Sequence, residues 1–206
     1  MVADNDRIHP FLLHGTLHTG RDSTDIRSPY SGTLVGRASM ATPADVEAAI
    51  AAAVSAGPAA AALPSHVRAS TLSRIVQGLT ERHEEFARLL AAEAGKPLGL
   101  ARAEIARARF VFQQGAEEAT RMCGEVIPMD LQSHGERRWG ITRRFPLAPI
   151  SAITPFNFPV LLAAHKLAPA IACGATMVLK PPPQDPLSTL LLGEVLSECG
   201  YPAGAL

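Results

Sequence analysis

Between residues 149 and 200 the chain runs strand, helix, strand, helix, and that order constrains the fold more than any other feature. Ile150-Ser151-Ala152-Ile153 reads as a buried strand, residues 154–158 as a turn, and residues 159–173 as a helix closed by Gly174. Residues 176–180 read as a second strand, 181–186 (PPPQDP) as a rigid turn, and 187–199 as a helix closed by Gly200. Strands joined through a crossover helix lie parallel, and the crossover is right-handed almost without exception. An α/β fold is therefore expected, with this stretch opening a Rossmann-like parallel sheet.

Upstream the pattern differs. Residues 1–41 read as short strands joined by polar turns, with turn chemistry at 27–32 and a strand at 33–38. Thr42, Pro43 and Asp45 make a helix start, with a side-chain cap, a fixed φ and an acid at the positive end of the dipole. The alanine-rich run that follows is expected to stop at Gly57-Pro58. Leu72, Ile75, Val76, Leu79, Phe86, Leu89 and Leu90 recur at three- and four-residue spacing. They predict one helix over 65–94, ended by Gly95 and Pro97, and a third helix follows over 98–122. Residues 125–128 read as a short strand and 136–145 as an exposed antiparallel one. The expected units are 1–123, an arm at 124–147, and 148–206.

Composition excludes several functions. Nineteen Lys and Arg balance nineteen Asp and Glu, which argues against a nucleic-acid partner. Arg137, Arg138, Arg143 and Arg144 read as a solvated strand edge. The seven His lack ligand spacing, and Cys123, Cys173 and Cys199 form no CxxC pair, so neither a metal site nor a disulfide framework is expected. The N-terminus carries acids where a leader would be basic, and no stretch is long and apolar enough to span a bilayer. A cytoplasmic protein without a membrane partner is the expectation.

Open parallel sheets bind ligands at the carboxyl ends of their strands. Two turns occupy that place, 154–158 and 180–186, and they should be neighbours. The first carries Asn157 between two phenylalanines, and the second begins with Lys180, suited to ribose hydroxyls or phosphate. The helix opening at Pro159 offers free N–H groups to an anion. A nucleotide-sized ligand fits, although neither GxGxxG after the strand nor GxxxxGK[ST] occurs. Taken singly, Asn157 is an ordinary turn residue, Lys180 a solvated strand end and His165 a packed or partly exposed side chain without a catalytic role.

Together the motifs say more. Ile153-Thr154-Pro155-Phe156-Asn157-Phe158-Pro159, then His165-Lys166-Leu167-Ala168-Pro169-Ala170, Gly174 and Val178-Leu179-Lys180-Pro181 resemble the aldehyde dehydrogenase superfamily. So do the turn at 28–32, Ala94-Gly95-Lys96-Pro97 and Tyr201-Pro202-Ala203-Gly204. The resemblance runs toward lactaldehyde, phosphonoacetaldehyde and non-phosphorylating glyceraldehyde-3-phosphate dehydrogenase-like members. It implies the N-terminal half of that fold, with a partial Rossmann-like sheet, flanking helices and an antiparallel oligomerisation arm at 124–147. It also implies a homo-oligomer that oxidises a small-molecule aldehyde to an acid with NAD or NADP.

The implied roles fall on particular residues. Asn157 matches the amide that donates to the oxyanion formed when a thiolate attacks the aldehyde. Lys166 matches a lysine credited with proton relay. Thr154, Pro155 and Phe156 match the wall of the ribose and pyrophosphate path, and Lys180 the residue on the adenosine ribose, with Pro182 and Pro183 in the same turn. Pro183 departs from the family's common glutamate, which holds the ribose 2′-hydroxyl and repels a 2′-phosphate; its loss opens the way to NADP. Ala175 stands where an asparagine is common. The family's nucleophilic cysteine, general-base glutamate and catalytic domain would follow Leu206, and Cys123, Cys173 and Cys199 are not in the nucleophile's context. The 206 residues alone are thus expected to be inactive. The alternative is a non-catalytic nucleotide-binding or oligomerisation module.

Overall fold

The computed structural model describes residues 6–147 and 149–206. Residues 1–5 (with Asp4, one of the two N-terminal acids) and Ala148, the first residue of the expected last unit, lie outside the described residues.

Five short strands come first: β1 (Ile8–His9), β2 (Phe11–Leu13), β3 (Thr16–His18), β4 (Ser23–Arg27) and β5 (Leu34–Ser39). β2 and β3 form a hairpin whose two-residue turn, His14-Gly15, has positive φ at both positions, the conformation that matches strand twist. β5 pairs parallel with β1 and antiparallel with β4.

Helix α1 (Pro43–Ala62) starts as the sequence predicts, with a reciprocal capping box between Thr42 and Asp45. It does not stop at Gly57-Pro58. Pro58 is exposed, so its ring meets solvent, and the helix continues to bury Ala60 against Ala56 and Ala205. The expected helix over 65–94 is two helices, α2 (Ser65–Glu81) and α3 (His83–Ala94), broken at Arg82 (φ −101°, ψ 16°). The Arg82 guanidinium is held by Glu85 and by Glu194. Leu79 and Phe86 lie seven residues apart on one face, so the apolar period crosses this one-residue break without a trace. Helix α4 (Leu98–Ala119) ends before the predicted 122.

The arm is an antiparallel pair, β6 (Val126–Pro128) and β7 (Trp139–Ile141), with a 3-10 turn at Ser133–Gly135. The strand expected over 136–145 is therefore only three residues long, because β6 offers it no more than three partners and Arg137 adopts φ 62°.

The last segment is β8 (Ile150–Ile153), α5 (Pro159–Cys173), β9 (Met177–Lys180) and α6 (Leu187–Glu198). β8 and β9 are parallel, with Ile150 opposite Met177 and Ile153 opposite Lys180. β8 is less buried than the sequence suggests: Ala152 is enclosed, whereas Ile150, Ser151 and Ile153 are exposed. Its only ladder partner among the described residues is β9, and no strand among them pairs with its other edge. The main core lies between α2, α4 and α5, where Leu72, Ile75, Ile105, Phe112, Leu167 and Ile171 are fully or almost fully buried. Among the described residues no single helix is long and apolar enough to cross a membrane, and no cluster of His, Cys, Asp or Glu could hold a metal.

Candidate active site

The β8–β9 register brings the two turns out side by side at the carboxyl ends of the strands. A single carbonyl joins them: the Thr154 N–H and hydroxyl both donate to the Lys180 oxygen, at 3.2 and 2.9 Å. Thr154 is buried, as a side chain spent on this junction must be. Pro155, Phe156 and Asn157 project into solvent beyond it, and so do Lys180 and Pro183, while Pro182 is buried beneath. Seven of the eight sequence-predicted site residues thus share one end of the sheet.

Lys166 is the eighth, and it lies apart. It is seven residues into α5, roughly 10 Å along the axis from the helix start at 1.5 Å per residue. Half-buried, it lines a groove of about 280 Å³ between α5 and β8, together with Ser151, Pro169 and Cys173. His165 is exposed. None of the three thiols lies in either turn. Cys123 is exposed near the arm, Cys173 is half-buried and donates to the Ala170 carbonyl, and burial pushes the Cys199 thiol up.

The expectation of free N–H groups at the start of α5 is corrected by the structure. The Val160 and Leu161 N–H groups both donate to Oε1 of Glu104, at 3.1 and 3.2 Å. Glu104 comes from α4, is fully buried, and is ion-paired with Lys96. Helix α6 begins the same way, its Leu187 and Ser188 N–H groups donating to Glu93 of α3 at 2.7 and 2.9 Å. Each of these two helices is capped by a carboxyl group from far upstream, which satisfies its first donors, and at α5 the Glu104 carboxylate also meets the positive end of the dipole. Burial raises the Glu93 carboxyl to about 8, against the pull of its hydrogen bonds from Ser188 and Leu187. Asp185, enclosed in the second turn with one oxygen lacking a hydrogen bond among the described residues, is raised by burial to about 7, and Lys96 opposes the rise.

Lys96 ties these parts together. Besides Glu104, its ammonium donates to the Asn157 carbonyl at 3.0 Å and lies 4.5 Å from the Phe158 ring centroid, with Arg107 at 5.0 Å from the same ring.

Residues 17–206 match the model of the aldehyde dehydrogenase family. The chain belongs to this family. It is 36% identical over 194 residues to a 3-sulfolactaldehyde dehydrogenase of Priestia aryabhattai, covering 94% of this chain and 40% of that protein. It is 37% identical over 183 residues to the NADP(+) succinate-semialdehyde dehydrogenase of Escherichia coli, covering 89% and 37%. The fold superposes on the crystal structure of aldehyde dehydrogenase 21 from Physcomitrella patens, in complex with the reaction product succinate, with a TM-score of 0.94 and 40% identity, covering 97% and 42%. The chain thus spans about two-fifths of the length of the relatives it matches.

Four residues of this aldehyde dehydrogenase chain escaped the sequence reading as site members: Lys96, Glu93, Glu104 and Asp185. Two carried a signal. Glu104 falls among Ala101, Ile105 and Ala108, and Glu93 follows Leu90 by three, so each is a carboxylate at core-facing spacing. A charge there needs a partner, and these two find helix N-termini.

Proposed function

We propose that this chain supplies the nucleotide-facing turns and the oxyanion donor of an NAD(P)-dependent aldehyde dehydrogenase. The observation that carries the reading is the Thr154–Lys180 junction, which fixes two turns together at the carboxyl ends of parallel strands and leaves Asn157 facing outward. Asn157 would donate its amide N–H to the aldehyde oxygen as a thiolate from elsewhere in the enzyme adds to the carbonyl carbon. One such donor is worth roughly 10²–10³ in rate.

Lys180, Pro155 and Phe156 would hold the nucleotide, with Pro182 and Pro183 shaping its adenosine end. When bound, the dinucleotide accepts the hydride; the residues of this chain orient it and steady the developing charge. The exposed surface fits either cofactor: Lys180 offers a cation, Pro183 brings no carboxylate, and Asp185 is turned inward. That absence of negative charge supports NADP use, as does the NADP(+) dependence named for the Escherichia coli relative. Lys166 would move protons only from the groove beside β8. The relatives' names include a sulfonated aldehyde and a semialdehyde, so an aldehyde with an anionic tail is the proposed substrate class.

None of the three thiols lies in either turn, so the 206 residues alone are proposed not to oxidise aldehydes. Following nicotinamide reduction at 340 nm with succinate semialdehyde and either cofactor tests this. Turnover that disappears with Cys173→Ser or Cys199→Ser would overturn it. In the whole enzyme, Asn157→Ala should lower kcat by about 10²–10³; an unchanged kcat removes Asn157 from the oxyanion role.

The arm supports a homo-oligomer. Val126, Leu131, Trp139, Ile141, Phe145 and Leu147 are all more than 60% exposed, an apolar surface a monomer seldom leaves to water. Trp139→Lys with Ile141→Lys should lower the sedimentation mass, and an unchanged mass places the interface elsewhere. The free thiols accord with a cytoplasmic location.

A further inference from the structure

Asn157 does its proposed work with an exposed side chain that no hydrogen bond among the described residues restrains. Its amide therefore takes its direction from its own backbone. That backbone is held from the far side. Lys96, with only 14% of its side chain exposed, donates to the Asn157 carbonyl at 3.0 Å. The same ammonium lies over the ring of the next residue, Phe158. Its counter-ion Glu104 accepts from Val160 and Leu161, so the helix start just after the turn is fixed by the same pair.

We propose that Lys96 is a positioning residue that aims the Asn157 amide at the aldehyde oxygen by fixing the Asn157–Phe158 peptide plane. The proposal rests on the reading of Asn157 as oxyanion donor. The carbonyl direction sets ψ of Asn157, and ψ together with φ sets where its Cα–Cβ bond points. A counter-ion for Glu104 would need the carboxylate contact alone. The bond to the Asn157 oxygen and the position over Phe158 are additional, and both act on the turn. The lysine stays in place because Glu104 is fully buried and rigidly engaged with two backbone N–H groups. The pair therefore transmits the position of α4 to the turn through fixed atoms.

The test is a double-mutant cycle in the whole enzyme that carries this chain, using Lys96→Met, Lys96→Arg, Asn157→Ala and the doubles, with kcat and the cofactor KM measured separately. A displacement of the donor by about 1 Å costs up to roughly 10² in rate. Lys96→Met should therefore lower kcat by about tenfold to a hundredfold, leave the KM for NAD(P) nearly unchanged, and be largely rescued by Lys96→Arg. In the Asn157→Ala background the same change should cost no more than about twofold, because the amide to be aimed is already gone. Equal losses in both backgrounds, or a loss borne by the cofactor KM, would overturn the proposal. If Asn157→Ala leaves kcat unchanged, the oxyanion reading falls and the aiming role falls with it. A coupling-free loss removes only the aiming role. Should Lys96→Met fail to fold for want of a counter-ion to Glu104, the cycle runs with Lys96→Met in a Glu104→Gln background, which removes the unpaired charge along with the donor to the Asn157 carbonyl. A kcat loss that vanishes in the Asn157→Ala background again supports the aiming role, and an equal loss in both backgrounds again removes it.

Discussion

Glu104 offers a sharp test of how this half-sheet is held together, because the molecule contains both a buried and an exposed version of the same kind of pair. Glu104 is fully buried and serves three groups: the Lys96 ammonium and the N–H groups of Val160 and Leu161. Glu84 and Arg102 form a bidentate pair at 2.6 and 3.0 Å, with their side chains 50% and 45% exposed. Replacing Glu104 by Leu leaves a buried ammonium without its counter-ion and strips two buried donors of their acceptor. Breaking a buried pair from one side costs about 3–5 kcal/mol. Glu104→Gln should cost less, since one amide oxygen can stand where Oε1 accepts both N–H groups, while its NH₂ faces Lys96 unfavourably. Glu84→Ala should cost about 1 kcal/mol or less, as solvent screens an exposed pair. Urea unfolding of the three variants reads these differences as shifts in midpoint at constant slope. The reasoning fails if Glu104→Leu is within about 1 kcal/mol of the parent, or if Glu84→Ala proves the costlier change.

Three further outcomes follow from the same geometry. His9 is buried and its imidazole is depressed from 6.5 to about 4, chiefly by burial and secondarily by Arg7. The unfolded chain therefore binds the proton first, and stability falls as pH drops from about 6.5 to about 4, by about 3 kcal/mol in all; His9→Phe should flatten that part of the unfolding pH profile, and an unaltered profile rejects the assignment. Gly174 caps α5 at φ +80°, where an added Cβ would lie 2.8 Å from the Ala60 carbonyl oxygen, so Gly174→Ala should destabilise by more than about 1 kcal/mol in the same titration; a neutral result would mean that α1 and α5 can move apart freely. Thr154→Val removes the hydroxyl bond to Lys180 while keeping the shape, and should cost about 1 kcal/mol of stability. It should also weaken NADP binding by calorimetry in the whole enzyme, and unchanged affinity would show that the junction does not hold the nucleotide turns.

How much of this was legible in the sequence depends on how far apart the interacting residues lie. The βαβα order, the capping box at Thr42 and Asp45 and the left-handed closure at Gly174 are local, decided by residues within one turn of one another. The break at Arg82 was not legible, since it depends on Glu194, 112 residues away, and leaves the apolar period undisturbed. The length of the arm strand was set by its partner rather than by its own alternation. At the site, residues 154–158 and 180–186 were readable because strand ends name their own location. Lys96 and Glu104 reach the turn across 61 and 56 positions, and the spacing of a chain does not reveal such pairs until the fold closes them.

The occupied helix termini also explain why this sheet carries no glycine-rich phosphate signature after β8. In the usual dinucleotide arrangement, glycines let the pyrophosphate approach the free N–H groups at the first crossover helix. Here Glu104 already accepts from that helix, and Glu93 does the same for the next. A phosphate brought to either N-terminus would meet donors already occupied, and at α5 it would also face the buried Glu104 carboxylate. The helix starts are thereby given over to rigidity. Under the proposed function, nucleotide recognition in these turns would fall to groups that stand clear of the helices, the Lys180 ammonium at the strand tip and the exposed walls of Pro155 and Phe156. A turn with that duty has no need of glycine, and its prolines and aromatics keep the surface stiff.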